Sequence, residues 1–578
     1  MIQKISFQNY KAFEKGEIKL KPITILLGAN SVGKSSIINL LLMLQQTTNA
    51  TNYKSAFKLN GENISMGECE NIFRNRDTSK ELILEFEFSD RKLFEMLKGE
   101  LMSDLISGVL RPLRFYDENN QTIDRTIYLD KSGEIKKEVF TDKNIFQSLL
   151  RGMTKLSEER FAKKNSEKIN NSLEDHINSN DETYDFLKLL SAINQDNFIL
   201  SFEIKFVLQK EKGLEQQSKL LKVSKATLKQ ANEIVLSIEL VFNEDYNGYK
   251  AINITSDFAS NVSISEKSQK ELLQSINYNS TIFSIFPRIK INNDFYFGYN
   301  RENYSILPQT IFQIFSQAIR NIENQFIADK TINHISPLRA YPQRYYFLDK
   351  ANINTYLNSL DGNSLTEILK ENKDVRKGVN DWLEKFLRIN VNVDTLHDVI
   401  HTLKVKQTKS NFDLDITDVG FGISQILPVV AQGFMSDKDS ITMIEQPEIH
   451  LHPKLQADLA DLFIHIVKIN NRHGSQIKNI SLFKDDDCEV KNIEKCLLIE
   501  THSEYLLRRL RRRISEGKIS AQDVAIYFIE PPKDENGSAE IQEREISPDG
   551  SFEWPQDFYA DELREDTTEF IKQLFRKK

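Results

Sequence analysis

Apolar and polar positions alternate in four short stretches of the chain: residues 2–7, 16–20, 81–88 and 199–206. A period of two predicts strands with one buried face. Other runs are apolar without alternation: residues 23–27, 441–444, 496–499 and 524–529. The last three end in polar turns and are separated by helical patterns. They predict parallel strands with helices on their faces and ligands at the carboxyl ends. Ser36-Ile37-Ile38-Asn39-Leu40-Leu41-Leu42-Met43-Leu44 is almost wholly apolar and predicts a buried helix. A second helix is expected from Pro453, with Leu455, Leu459, Leu462 and Ile466 on one face.

Between about residues 91 and 330 the character changes. Lys, Glu, Asn, Ser and Gln dominate, a helical stretch covers 144–161, and alternating strands are interspersed. The chemistry described below lies on either side, so this segment reads as an α+β insertion. The expected organisation is 1–90, then the insertion 91–330, then 331–578. No heptad pattern is sustained, so no long coiled-coil arm is expected.

At 578 residues the chain exceeds one ordinary core. Its net charge of −8 excludes general polyanion binding and confines any nucleic-acid contact to a local basic patch. Cys69, Cys488 and Cys496 are scattered thiols without a CxxC pair, which fits a reducing compartment and argues against structural zinc. With no leader pattern after Met1 and no apolar run long enough to span a bilayer, a cytoplasmic location without membrane contact is expected.

The first chemical signal is Gly28-Ala29-Asn30-Ser31-Val32-Gly33-Lys34-Ser35, followed by Ser36. It is a GxxxxGK[ST] loop placed between a strand and a helix, the context in which backbone N–H groups cradle phosphates. Lys34 would reach the β- and γ-phosphates and the Ser35 hydroxyl would hold Mg²⁺. ATP with Mg²⁺ is the expected ligand pair. Downstream, the run 440–448 is an apolar strand ending in Glu445-Gln446-Pro447-Glu448. A carboxylate at that strand end can hold the hydrated Mg²⁺ and polarise a water, so Glu445 is the Walker B candidate. Gly420, Gly422 and Ser424 precede Pro428, which is expected in the first turn of a helix. Both a second phosphate-binding helix start and a plain loop-to-helix turn fit this segment. His502 follows the strand 497–500 and could meet the γ-phosphate or serve as a polar cap.

Taken in order, these motifs resemble an ABC-type ATPase head of the SMC, RecF and OLD kind, split by an insertion. More narrowly, they resemble bacterial AAA-family ATPases with a C-terminal domain of unknown function. The resemblance rests on residues 444–453, 500–504, 336–340 and 514–518. It implies a mixed or parallel α/β sheet flanked by helices, and two heads that sandwich ATP. The phosphate loop of one head would face Gly422 and Ser424 of the other. Glu445 would be the Walker B acid and His502 the switch histidine. One departure matters: Gln446 stands where such heads carry the catalytic glutamate, and Gln cannot take a proton from water. Slow hydrolysis is therefore expected unless Glu448 substitutes.

Other features have blander readings. His450 and His452 suggest chelation, but a role in shaping the interface after the Walker B strand fits better. Asp485, Asp486 and Asp487 read as a solvated loop, not a two-metal site. Arg339 and Arg344 fit phosphate contacts or salt bridges equally. In the segment 506–514, Leu506, Leu507, Leu510 and Ile514 form one helix face and five arginines cover the rest. Pairing with acids such as Glu504 and Glu516 is favoured there over contact with DNA or RNA. No DxD motif follows His502, so an intrinsic nuclease is not expected. Resemblance to defence ATPases implies an ATP-dependent homodimer or higher oligomer that controls a separately encoded effector, in bacterial anti-phage defence. The alternative is an ATPase that processes DNA or RNA directly.

Overall fold

In the computed structural model, the described residues are 2–48, 55–89, 199–210, 219–230, 233–243, 248–255, 257, 318, 322–326, 331–348, 357–408, 412–468, 495–534 and 537–554. The expected helix at 144–161 and the triple Asp485–Asp487 lie outside them.

Two sheets sandwich one helix. The apolar runs form β3 (Ile23–Gly28), β14 (Ile441–Glu445), β15 (Cys496–Glu500) and β16 (Val524–Glu530). With β9 (Ile332–Ile335) and β17 (Glu540–Arg544) they make a six-stranded sheet in the order β17-β16-β3-β15-β14-β9. All neighbours are parallel except the edge pair β16 and β17. Every residue of β3, β14 and β15 is buried, as strands covered on both faces must be.

The alternating stretches form a different sheet. β1 (Ile2–Tyr10), β2 (Phe13–Lys19) and β4 (Leu82–Ser89) are joined by β5 (Ile199–Lys210), β6 (Lys219–Gln230), β7 (Glu233–Asn243) and β8 (Gly248–Thr255). The order is β2-β1-β4-β5-β6-β7-β8, antiparallel throughout. The sheet runs straight across the boundary expected at residue 90, because β4 pairs with β5 over its whole length.

Helix α1 (Lys34–Thr48) lies between the two sheets, and its side chains share one core with Ile5, Phe7 and Phe86 of the antiparallel sheet and Met443 and Leu498 of the parallel one. A helix apolar on all sides has no stable place except such a middle layer. The other face of the parallel sheet is covered by α2 (Gly362–Glu371), α3 (Lys373–Leu387), α4 (Phe421–Met435), α5 (Pro453–Lys468) and α6 (Glu504–Ser515). A small sheet of β10 (Tyr346–Phe347), β11 (Ile389–His397), β12 (Ile400–Gln407) and β13 (Asp413–Asp415) adjoins them. The α/β head expected from the motifs is thus observed. No helix among the described residues is long and apolar enough to cross a membrane.

One expectation fails locally. Pro428 is not in the first turn of its helix: α4 begins seven residues earlier and Pro428 lies in its interior. Proline there leaves the Ser424 carbonyl without its i+4 donor, a penalty of about 3 kcal/mol. Burial of Ile426, Leu427, Val429, Val430 and Ala431 around it offsets that loss and keeps the helix continuous.

The arginine helix α6 is a paired surface. Arg508 meets Glu504, Arg512 meets Glu516, and Arg509 and Arg513 share Asp461. Arg511 donates to the Gly550 carbonyl and lies over the rings of Phe552 and Trp554. Arg344 likewise pairs with Asp415 and Asp418.

The antiparallel sheet closes on the loop through aromatic rings. Phe7 meets Phe13 edge-on at 5.3 Å, and the Phe13 ring closes against Gly33. Phe13→Ala should therefore lower unfolding free energy by about 3–5 kcal/mol. Guanidinium denaturation followed by circular dichroism checks this; a loss under 1 kcal/mol, on the order of a surface change, would contradict it.

Candidate functional site

The loop between β3 and α1 is shaped by backbone that only glycine adopts easily. Gly28 and Gly33 have φ of +141° and +116°. A Cβ on Gly28 would stand 2.5 Å from the Ile529 carbonyl oxygen, and one on Gly33 would stand 2.8 Å from the Phe13 ring. Ala29, Asn30 and Ser31 are exposed at the rim, while Val32 is buried beneath. The start of α1 is tied down where the Tyr10 hydroxyl donates to the Ser36 carbonyl at 3.0 Å.

Lys34 is buried. Its ammonium donates to the carbonyls of Ala29 at 2.6 Å and Gly28 at 3.1 Å, and stands 3.8 Å from Glu500. Burial pulls its pKa down, partly offset by the negative charges of Glu500 and Glu448. The Ser35 hydroxyl donates to Glu500 Oε2 at 3.0 Å.

Glu445 ends β14 and pairs in register with Glu500 on β15. Its Oε1 lies 2.7 Å from His334 Nε2 on β9. Gln446 takes a left-handed φ of 44° and its N–H donates to the Glu500 carbonyl at 2.8 Å. The carbonyls of Glu445 and Gln446 accept from Arg339 Nη2 at 2.9 and 3.3 Å. Arg339 is buried beneath this turn, and burial lowers its pKa to about 10.

Glu448 Oε1 accepts from the His502 backbone N–H at 2.6 Å. Its Oε2 is shut off from solvent with no hydrogen-bond partner among the described residues. Burial raises the carboxyl pKa. The His502 Nε2 is also buried and unpartnered, and burial together with Lys34 lowers the pKa of the ring, so it is neutral near pH 7.

A cavity of about 670 Å³ opens over the loop, lined by Asn30, Ser31, Gly33, Lys34, Ser35 and Ser36 below and by Gln446 and Glu500 at one side. Lys11, Asn71, Asn75 and Arg76 are among the other residues that line it. The residues fit a magnesium nucleotide. A glycine-shaped loop with polar groups at its rim and a buried lysine bonded only to carbonyls and an acid are the donors such a ligand needs, while the His502 ring stands outside the cavity lining.

Gly422 and Ser424 do not line this cavity. Gly422 lies in the first turn of α4, where a Cβ would stand 2.7 Å from the His450 carbonyl oxygen. Ser424 is buried and its hydroxyl donates to the Phe421 carbonyl at 2.7 Å. The exposed His450 ring meets Phe421 edge-on at 5.0 Å, and His452 Nδ1 accepts from the Lys454 N–H.

This geometry coincides with a family match: residues 1–507 fit the AAA ATPase domain. The chain belongs to the AAA ATPase domain family. No curated protein matches it. Two solved structures align with it at low similarity. One is the Smc head domain with an extended coiled coil bound to the C-terminal domain of ScpA, from Pyrococcus furiosus. It is 9% identical, with a TM-score of 0.31, over 94% of this chain and 96% of that one. The other is the SMC head domain from Thermotoga maritima, 7% identical, with a TM-score of 0.31, over 94% and 98%.

In this AAA ATPase domain protein, several site residues escaped the motif reading. Glu500 stands at the end of a buried apolar strand, the same signal that singled out Glu445. What was missing was that β15 lies between β3 and β14, beside the loop. His334 had only a four-residue strand as context. Asn75 and Arg76 sit in a 3₁₀ turn with left-handed φ of 51° and 56°, which no periodicity marks.

Gly33→Ala combines a left-handed backbone with a clash on Phe13. The strain of about 1–3 kcal/mol should weaken nucleotide binding about tenfold or more by titration calorimetry. Unchanged affinity would mean that the loop conformation is not needed for binding.

Proposed function

We propose that this AAA ATPase domain protein is an ATP-dependent switch or scaffold that hydrolyses slowly. The observation that carries the reading is the position of Gln446 on the cavity wall while Glu448 is turned onto the His502 backbone. The wall therefore offers an amide where a general base is needed. Bound ATP and Mg²⁺ would supply the reactive phosphoanhydride and the Lewis acid. The chain's own residues do the rest. Lys34 would exchange the Gly28 and Ala29 carbonyls for phosphate oxygens, Ser35 would hold the cation with Glu445 acting on it from one strand further out, and His502 would offer its neutral ring to the terminal phosphate.

In this reading two copies close over the nucleotide, with the α4 start at Gly422 and Ser424 of one copy facing the phosphate loop of the other. Gly422 supports this as a packing residue, because it lets the α4 start approach the turn after β14 closely. Slow turnover makes the closed pair long-lived, which suits control of a separately encoded effector. The anti-phage role rests on the motif resemblance. Direct processing of nucleic acid is the weaker reading, because all five arginines of α6 are engaged within the chain.

ATP turnover and molecular size, measured side by side, test the proposal. Wild type should turn over slowly and dimerise with ATP, and Lys34→Ala should do neither. Gln446→Glu should raise turnover by about a hundredfold, the lower end of general-base catalysis. Glu448→Gln should change turnover little. Fast wild-type turnover abolished by Glu448→Gln would make Glu448 the base and overturn the slow switch.

A further inference from the structure

Three acidic side chains approach the phosphate loop, and only one of them touches it. Glu445 is engaged at 2.7 Å by His334, and Glu448 accepts the His502 N–H. Glu500 alone meets the loop: its Oε2 lies 3.0 Å from Ser35 Oγ and its Oε1 3.8 Å from Lys34 Nζ. Strand order explains why. β15 lies between β3 and β14, so its last residue is one strand closer to the loop than Glu445, with Leu26 as its register partner.

The separation of the two oxygens is itself informative. Mg²⁺ binds oxygen at about 2.0–2.1 Å with octahedral geometry, which places adjacent ligands about 2.9 Å apart. Ser35 Oγ and Glu500 Oε2, hydrogen-bonded at 3.0 Å, stand close to that spacing, and both residues line the cavity. Both are hard oxygen donors, the class this cation prefers. Glu500 is also buried, and the carboxylate beside it in register, Glu445, repels it. Lys34 offsets part of that repulsion, and a divalent cation would offset the rest.

We propose that Glu500, together with the Ser35 hydroxyl, holds the divalent cation of the nucleotide, with Glu445 one strand further out and oriented by His334. This deepens the nucleotide-site reading and rests on it. Glu500 adds a charge that the phosphate loop itself lacks. It makes nucleotide affinity depend on the cation: without the metal its carboxylate repels the phosphates, and with the metal it attracts them through it.

The test is titration of a fluorescent ATP analogue onto the full chain, in Mg²⁺ and in excess EDTA. Wild type should bind more tightly with Mg²⁺, by about tenfold or more. Glu500→Gln should bind the metal-free nucleotide at least as well as wild type and lose most of the Mg²⁺ gain. If Glu500→Gln keeps the full gain, the assignment is overturned. It is equally overturned if the variant folds, by its circular dichroism, yet binds no nucleotide under either condition, since the carboxylate would then be a structural support of the loop. Should Glu500→Gln not fold, Glu500→Asp decides: the shortened acid supports the proposal by losing the gain and overturns it by keeping it. Wild type that binds no nucleotide at all would instead refute the underlying site reading.

Discussion

The enclosure of α1 between two sheets is the constraint on which the rest depends. Its side chains are shared by the antiparallel sheet and one face of the parallel sheet, so neither layer can shift without exposing the helix. The phosphate loop is the short connection from β3 to this clamped helix. Gly28 and Gly33 let it turn tightly, and Phe13 of the opposite sheet closes on it. Rigidity of the loop is thus inherited from burial on both sides. A preformed cradle has little ordering left to do when phosphate enters.

The same layering sets the electrostatics. Parallel strands deliver their carboxyl ends to one rim, which brings Glu445, Glu500 and the Glu448 turn close to Lys34. Such a cluster would be unstable if each acid were left alone, and none is. His334 takes Glu445, the His502 N–H takes Glu448, and Ser35 and Lys34 take Glu500. Arg339 adds a cation under the rim and fixes the turn through the carbonyls of Glu445 and Gln446. Strands, loop and charges therefore form one mechanical and electrostatic unit.

Much of this was legible before any coordinates. Fixed spacing made the loop unmistakable, and unbroken apolar runs marked β14, β15 and β16 because strands buried on both faces carry no polar positions. Alternation marked β1, β2, β4 and β5 for the converse reason. The remaining features depend on long-range contacts. That β4 pairs with β5 across residue 90 follows from matched buried faces more than a hundred residues apart in sequence. The extension of α4 through Pro428 depends on burial around it, which outweighs a local preference. Strand order is likewise invisible to local patterns, and it alone decides which acid reaches the loop.

That last point bears on how Gln446 is read. Gln446 in place of an acid looks like a simple loss when only the strand end is considered. In the folded chain the turn is built from several parts: a left-handed Gln446 bonded to the Glu500 carbonyl, a buried Arg339 beneath, and Glu448 drawn onto the His502 backbone just past β15. Each bond holds the turn in one geometry, with a neutral amide facing the cavity. A site selected for rapid turnover would need a mobile or exposed base at that position, near the attacking water. A site that grips its nucleotide needs the opposite: a stiff wall, offset charges and a cation held at a fixed place. Around Gln446 and Glu500 the turn is tied down and its acids are partnered, which are the properties that the proposed slow switch calls for.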